Sequence, residues 1–240
     1  MEKTFDLDKI KFSIDPKTFD KAIDLYGKGK VINVTTNPFG FDATVLGSQS
    51  YHVSVSNKNL DQATCTCYLG ENDVLCKHVI ALALHVVMAG KPMTQEDKKQ
   101  YTEPVCNIET GELDKDELQK MQQEITTAMR YIKAYRGPSS TWFRYQNSLS
   151  EGCARLASII SQLPVSEQTA KILVDILLRL DRKLLNAVDD SDGTVGTFIE
   201  QTVQILLEYY FIDKNCSKAF KKLKNKETMF GWEEALVNIK

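Results

Sequence analysis

Fourteen residues constrain this chain more than any others: Cys65-Thr66-Cys67, eight intervening positions, then Cys76-Lys77-His78. Thiolate and imidazole are the donors that a tetrahedral zinc ion prefers, and four of them close a structural site with no open position. In an extended strand, residues two apart project from the same face, so Cys65 and Cys67 point together. Their Cα atoms then lie roughly 6–7 Å apart, near enough to pinch one ion if the strand bends. Cys76 and His78 are also two apart, where Val79 to Leu84 begins an apolar helix. The electropositive start of that helix favours the thiolate of Cys76. The competing readings are four unliganded residues that merely cluster, or a redox dithiol at Cys65-Thr66-Cys67. A redox motif needs no histidine and usually has two residues between its cysteines, so zinc is the expectation. Gly70 with Glu71-Asn72-Asp73 supplies the turn between the two ligand pairs.

This Cys-x-Cys…Cys-x-His pattern, with a helix entering at the last ligand, resembles the SWIM zinc finger. The resemblance extends upstream, where Phe19-Asp20-Lys21-Ala22 and Leu25 to Val31 look like the helix, glycine turn and first strand that precede the finger in bacterial members. Downstream, Cys76-Lys77-His78-Val79-Ile80-Ala81-Leu82 is similar to the family's Cys-Lys-His-hydrophobic run. The resemblance implies one structural zinc held by Cys65, Cys67, Cys76 and His78. It also implies a module that engages DNA and proteins, in bacterial members alongside ATPases of the helicase or remodelling type.

At 240 residues, 42% of them hydrophobic and 26% charged, the chain has the makeup of a globular protein with room for two ordinary domains. No run approaches the roughly 18 apolar residues of a membrane span, and Met1 to Asp6 lacks the apolar core of a signal peptide. The expectation is a cytoplasmic protein whose cysteines stay reduced. Cys153 and Cys216 fall in helical patterns and read as core thiols. The net charge of −2 argues against a dedicated nucleic-acid binder. Residues 1–100 hold 12 lysines, 12 acidic residues and no arginine, and the first arginine is Arg130. Arginine is the usual bidentate reader of guanine, so base reading by the finger is not expected. Nucleic-acid contact, if any, would run through Lys28, Lys30, Lys58 and Lys77, or through the cluster from Lys214 to Lys226.

Taken in order, Asp15-Pro16 opens a helix with Phe19, Ala22, Ile23 and Tyr26 on one face. Val31 to Thr35 and Phe41 to Leu46 form a hairpin about Asn37-Pro38-Phe39-Gly40. Tyr51 to Val55 alternates, with Tyr51, Val53 and Val55 sharing a face opposite His52, and a fourth strand spans Ala63 to Cys67. The helix after His78 is apolar nearly all round and ends at Gly90. His85, two turns on from His78 and roughly 10 Å away, reads as a packed core histidine. Residues 94–113 read as a linker with a short helix, which separates a finger domain at 1–93 from a helical domain at 114–240. Helical patterns there run from Asp114 to about Tyr135, Trp142 to Leu163, Ser166 past Leu184, and Thr194 to Ile212. A lysine-rich helix over Ser217 to Lys226 and a last turn carrying Phe230, Trp232 and Leu236 follow. The fold class expected is α+β: a small antiparallel sheet with helices around the zinc site, then an all-α bundle.

Asp189-Asp190-Ser191-Asp192-Gly193 invites a calcium reading. An EF-hand frame with Gly193 sixth needs an acid at Val188 and a glutamate at Ile199, and both fail. The expectation is a turn in which Asp192 caps the next helix. There is no glycine-rich phosphate loop and no nucleophile motif, so no catalysis is expected, the alternative being an enzyme whose helical half carries an activity with no recognisable motif. The sequence points to a zinc-binding accessory or adaptor protein that binds a protein partner, with DNA a weaker second ligand.

Overall fold

The computed structural model describes residues 5–239, apart from the side chain of Phe143. Residues 1–4, most of the N-terminal stretch read above for a signal peptide, and Lys240 lie outside the described residues. The chain divides into two compact units, one ending at Gln100 and the other beginning at Tyr101.

The first unit opens with α1 (Leu7–Phe12), started by Asp6, whose carboxylate accepts the Lys9 N–H. This helix has a single buried residue, Ile10, too little periodicity to be visible in the sequence. In α2 (Pro16–Gly27), the Asp15 carboxylate accepts the Thr18 N–H and proline takes the first position, which needs no amide donor. Phe19 and Ala22 are fully buried. Then come β1 (Val31–Asn37), β2 (Gly40–Leu46), β3 (Ser50–Ser56) and β4 (Thr64–Cys65), an antiparallel sheet in sequential order. The Asn37 side-chain oxygen accepts from the Phe39 and Gly40 amides and forms the first hairpin turn. In β3, Val53 and Val55 point inward and His52 outward. Strand β4 spans only Thr64 and Cys65, shorter than the expected run, and the chain turns away after a last backbone bond from Thr66 to β3.

Helix α3 (Lys77–Met88) lies on the sheet and on α2, with every residue from His78 to Leu84 buried. Burying each of Ile80, Leu82 and Leu84 contributes about 1.5–3 kcal/mol. His85 is only half-buried, with its ring edge-on to Tyr26 at 6.2 Å. It is therefore not the fully buried core histidine expected, since it packs against Tyr26 of α2 at the margin of the core. A short α4 (Gln95–Lys98) carries a reciprocal cap between Thr94 and Asp97, and the Gln100 side chain donates to the Lys11 and Ile14 carbonyls. Residues 94–100 thus belong to the first unit.

The second unit packs four long helices around its own core: α5 (Lys115–Met129), α6 (Trp142–Ile160), α7 (Glu167–Leu185) and α8 (Thr194–Ile212). Residues 101–113 run along this unit, with the Val105 amide on Ser161 Oγ, the Leu113 amide on Gln168 Oε1 and Thr110 bridged to Val165. Asp114 and Ser166 form the N-terminal caps of α5 and α7 by reciprocal bonding with Glu117 and Thr169. Helix α5 stops at Met129 instead of running on to Tyr135. The Tyr131 carbonyl accepts from Ser148 and the Ile132 carbonyl from Lys183, so side chains from two other helices hold the chain beyond the helix end. Ile132 is still fully buried, and it lies against Gly152 of α6, where a Cβ would come within 2.7 Å of it. The lysine-rich segment is a short α9 (Ser217–Phe220) and a 3-10 turn, not one helix to Lys226. In the last turn and α10 (Glu234–Val237), Trp232 and Leu236 are buried while Phe230 faces solvent. No helix among the described residues is long and apolar enough to cross a membrane.

Candidate metal centre

The Val53↔Cys65 pair sets one half of the site on the edge of β3. Thr66 fixes the turn beyond it: its amide donates to the His52 carbonyl at 3.1 Å, and its hydroxyl accepts the His52 amide at 3.0 Å. With Thr66 clamped, Cys65 and Cys67 both face inward, 5% and 7% exposed. The other half is the start of α3, where Cys76 takes the cap position and His78 lies in the first turn, 1% and 5% exposed.

The four candidate ligand atoms lie within 4.8 Å of one another. His78 Nδ1 is 3.8 Å from the sulfurs of both Cys65 and Cys76. A tetrahedral zinc ion with bonds of about 2.3 Å to sulfur and 2.0–2.1 Å to nitrogen would set such donors roughly 3.6–3.8 Å apart. The donor set and its spacing therefore fit zinc, and the structure brings together all four residues singled out from the sequence. Three thiolates and one imidazole would fill the coordination shell.

Electrostatics in the cluster point the same way. The thiol of Cys76 is pushed down to about 3, first by a hydrogen bond from Cys65 and then by bonds from His78 and the Val79 amide, against burial. That same bond, with burial, pushes Cys65 far up. One buried thiolate is thus stabilised by its neighbours. Deprotonated sulfurs this close together are stabilised by a shared dication.

Several supports were not visible in the sequence. Gly70 closes the inter-ligand loop over Cys65, where a Cβ would sit 2.2 Å from the Cys65 carbonyl oxygen. Its amide donates to Cys67 Sγ at 3.4 Å, and the Glu71 amide donates to the Cys67 carbonyl at 2.9 Å. Gly70 read only as a turn residue, although a glycine three positions after a ligand was the available signal. Tyr51 stacks on His78, ring centroids 4.2 Å apart, and holds the imidazole in orientation. His78 Nε2 is buried with no hydrogen-bond partner among the described residues.

The SWIM zinc finger family model matches residues 51–87. The matched stretch starts at Tyr51, takes in both ligand pairs and the loop between them, and ends in α3, so the chain carries a SWIM-type finger there. It leaves the helical unit unmatched. No curated protein and no solved structure matches the chain.

The lysines named as nucleic-acid contacts do not form one track. Lys28 pairs with Asp24 at 2.8 Å. Lys30 precedes β1 at the sheet end defined by Val31, Val45 and Tyr51, whereas Lys58 follows β3 at the end defined by Gly40 and Ser56. Seven-residue strands separate those ends by about 20 Å. Lys77 is the first residue of α3 and is half-buried. In the second cluster, Lys218 and Lys222 pair with Glu167 and Asp175 of α7, and Lys214 lies 3.7 Å over the Tyr210 ring. The Asp189–Gly193 turn is spent on capping. Asp190 accepts the Val195 and Gly196 amides and Asp192 only that of Thr194, so Asp190 makes the larger contribution to the cap expected of Asp192.

Proposed function

We propose that this chain is a zinc-stapled interaction module, an accessory or adaptor protein that docks a protein partner through its finger. The carrying observation is what the ligand cluster holds up to solvent. Between the two ligand pairs, Tyr68 is 80% exposed, Leu69 44% and Val74 50%. Apolar side chains concentrated on a loop that is pinned at both ends by buried ligands are a feature of recognition surfaces. Pinning removes the ordering entropy that a free loop would lose on binding.

Zinc, bound by Cys65, Cys67, Cys76 and His78, acts here as a folding constraint, since four protein ligands leave no position for a reacting water. The zinc site is therefore not a catalytic one, and an ATPase of the helicase or remodelling type is the partner class that the SWIM resemblance implies. DNA is the weaker ligand: the divided, partly paired lysines can neutralise few phosphates, which limits affinity and leaves it salt-sensitive.

An affinity pull-down from the native cell, with and without nuclease, tests this reading. A partner retained after nuclease and lost with the Tyr68→Ser/Leu69→Ser variant is expected. Recovery that vanishes on nuclease treatment would instead make nucleic acid the primary ligand.

A further inference from the structure

The helical unit holds a second candidate site, in a cavity of about 650 Å³ between α8 and the turn that carries Phe230. Its walls include Asp190, Gly196, Glu200, Val203, Phe230 and Trp232, and among the described residues no lysine, arginine or histidine lines it. Phe230 is the unusual member. It sits in left-handed backbone, φ 68° and ψ 4°, and is 74% exposed. A bulky residue in that region is strained, and one facing solvent recovers little of the strain by burial.

The surroundings hold it there. The buried carboxylate of Asp181 accepts the Met229 amide at 2.8 Å and the Trp232 indole N–H at 3.2 Å, fixing both sides of Phe230. Thr228 bonds the Glu233 carboxylate across the same turn. On the facing helix, Gly196 leaves the wall open, since a Cβ there would stand 3.6 Å from the Phe230 ring and 3.3 Å from the Asp190 carboxylate. Glu200, exposed on α8, has no ion-pair partner among the described residues.

We propose that this cavity recognises a lysine or arginine side chain presented by a basic peptide segment of a partner protein. Two aromatic rings, the exposed Glu200 carboxylate and the negative charge of Asp190, whose oxygens already accept the Val195 and Gly196 amides, are complementary to an ammonium or guanidinium group, with Glu200 the direct ionic contact. The same carboxylates repel phosphate, so a nucleic-acid strand is the wrong occupant. The volume exceeds what one side chain fills, which leaves room for the flanking peptide residues to cover Phe230.

The test is a titration of fluorescein-labelled hexa-arginine into the full chain, comparing the parent with Glu200→Gln, Phe230→Gly and the remote Glu112→Gln. Glu200→Gln and Phe230→Gly should each weaken binding about threefold to fivefold, and Glu112→Gln should not change it. Phe230→Gly should melt no lower than the parent, since glycine adopts left-handed backbone freely. Glu200→Gln is an exposed change, so it decides the matter even if Phe230→Gly alters folding. The proposal is overturned if Glu200→Gln binds like the parent, or if Glu112→Gln weakens binding equally, which would indicate diffuse charge attraction. Equal affinity for hexa-glutamine, or for free arginine amide, would also overturn it.

Discussion

Gly70→Ala is the sharpest single probe of the finger. The added Cβ would stand 2.2 Å from the Cys65 carbonyl oxygen and 2.6 Å from the Cys65 Cβ. Neither atom is the free end of a flexible side chain, so the loop itself must lift. Lifting it removes the Gly70 amide from Cys67 Sγ and strains the Glu71 bond to the Cys67 carbonyl. Partners of this outer kind typically hold about 10–100-fold in metal affinity. That corresponds to roughly 1.4–2.8 kcal/mol at 1.4 kcal/mol per tenfold. The steric displacement acts on Cys65 as well as Cys67, so a loss toward the upper end, about 30–100-fold, is expected. Zinc competition against a chromophoric chelator measures it directly. Gly27→Ala is the control, because nothing among the described residues lies within 4 Å of a Cβ there. Zinc affinity within about twofold of the parent in Gly70→Ala, or an equal loss in Gly27→Ala, would refute the reasoning.

Other expectations follow from the same contacts. In α6, Arg155 and Glu151 form an ion pair at 2.9 Å, 6% and 3% exposed, with Arg155 4.7 Å from the Tyr131 ring centroid. Arg155→Met should cost about 3–5 kcal/mol in denaturant unfolding, and Arg155→Met/Glu151→Leu distinctly less, since the double change strands no charge. A double variant as unstable as the single one would count against a stranded charge. Asp181→Ala should lower stability by about 2–4 kcal/mol and expose residues 228–239 to protease, because two donors lose one buried acceptor. Chelation should unfold the first unit while the helical unit keeps its circular dichroism, and limited proteolysis should then separate them near the Gln100–Tyr101 division; loss of both signals together would contradict independent cores. Duplex DNA should bind no tighter than micromolar near physiological salt, and nanomolar, sequence-selective binding by titration would reverse the ranking of ligands.

Much of the fold was legible because its signals are local. The ligand spacing marks the cluster, Asp15-Pro16 and Ser166-x-x-Thr169 mark helix starts, and the alternation around Val53 and Val55 marks the central strand. The misses share a different cause, in that the deciding partner lies far away in sequence. Ile132 kept the helical period of α5, yet the helix ends at Met129 and the Tyr131 and Ile132 carbonyls beyond it are bonded by Ser148 and Lys183, far away in sequence. Asp192 is placed as a conventional cap, but left-handed Gly193 turns the chain so that Asp190 reaches the α8 amides. The run of lysines looked uncompensated until Glu167 and Asp175 of α7 came beside Lys218 and Lys222. In the finger, the four candidate ligands were readable, whereas Thr66, Gly70 and Tyr51 became meaningful only once the sheet placed them around the sulfurs.

The central claim is a metal-stapled finger, and elemental analysis of protein purified without added metal or chelator tests it most directly. The account predicts roughly one zinc per chain, falling sharply in Cys67→Ser, since a closed Cys₃His site loses a quarter of its shell. Well under one zinc in the parent, or an unchanged content in Cys67→Ser, would contradict it.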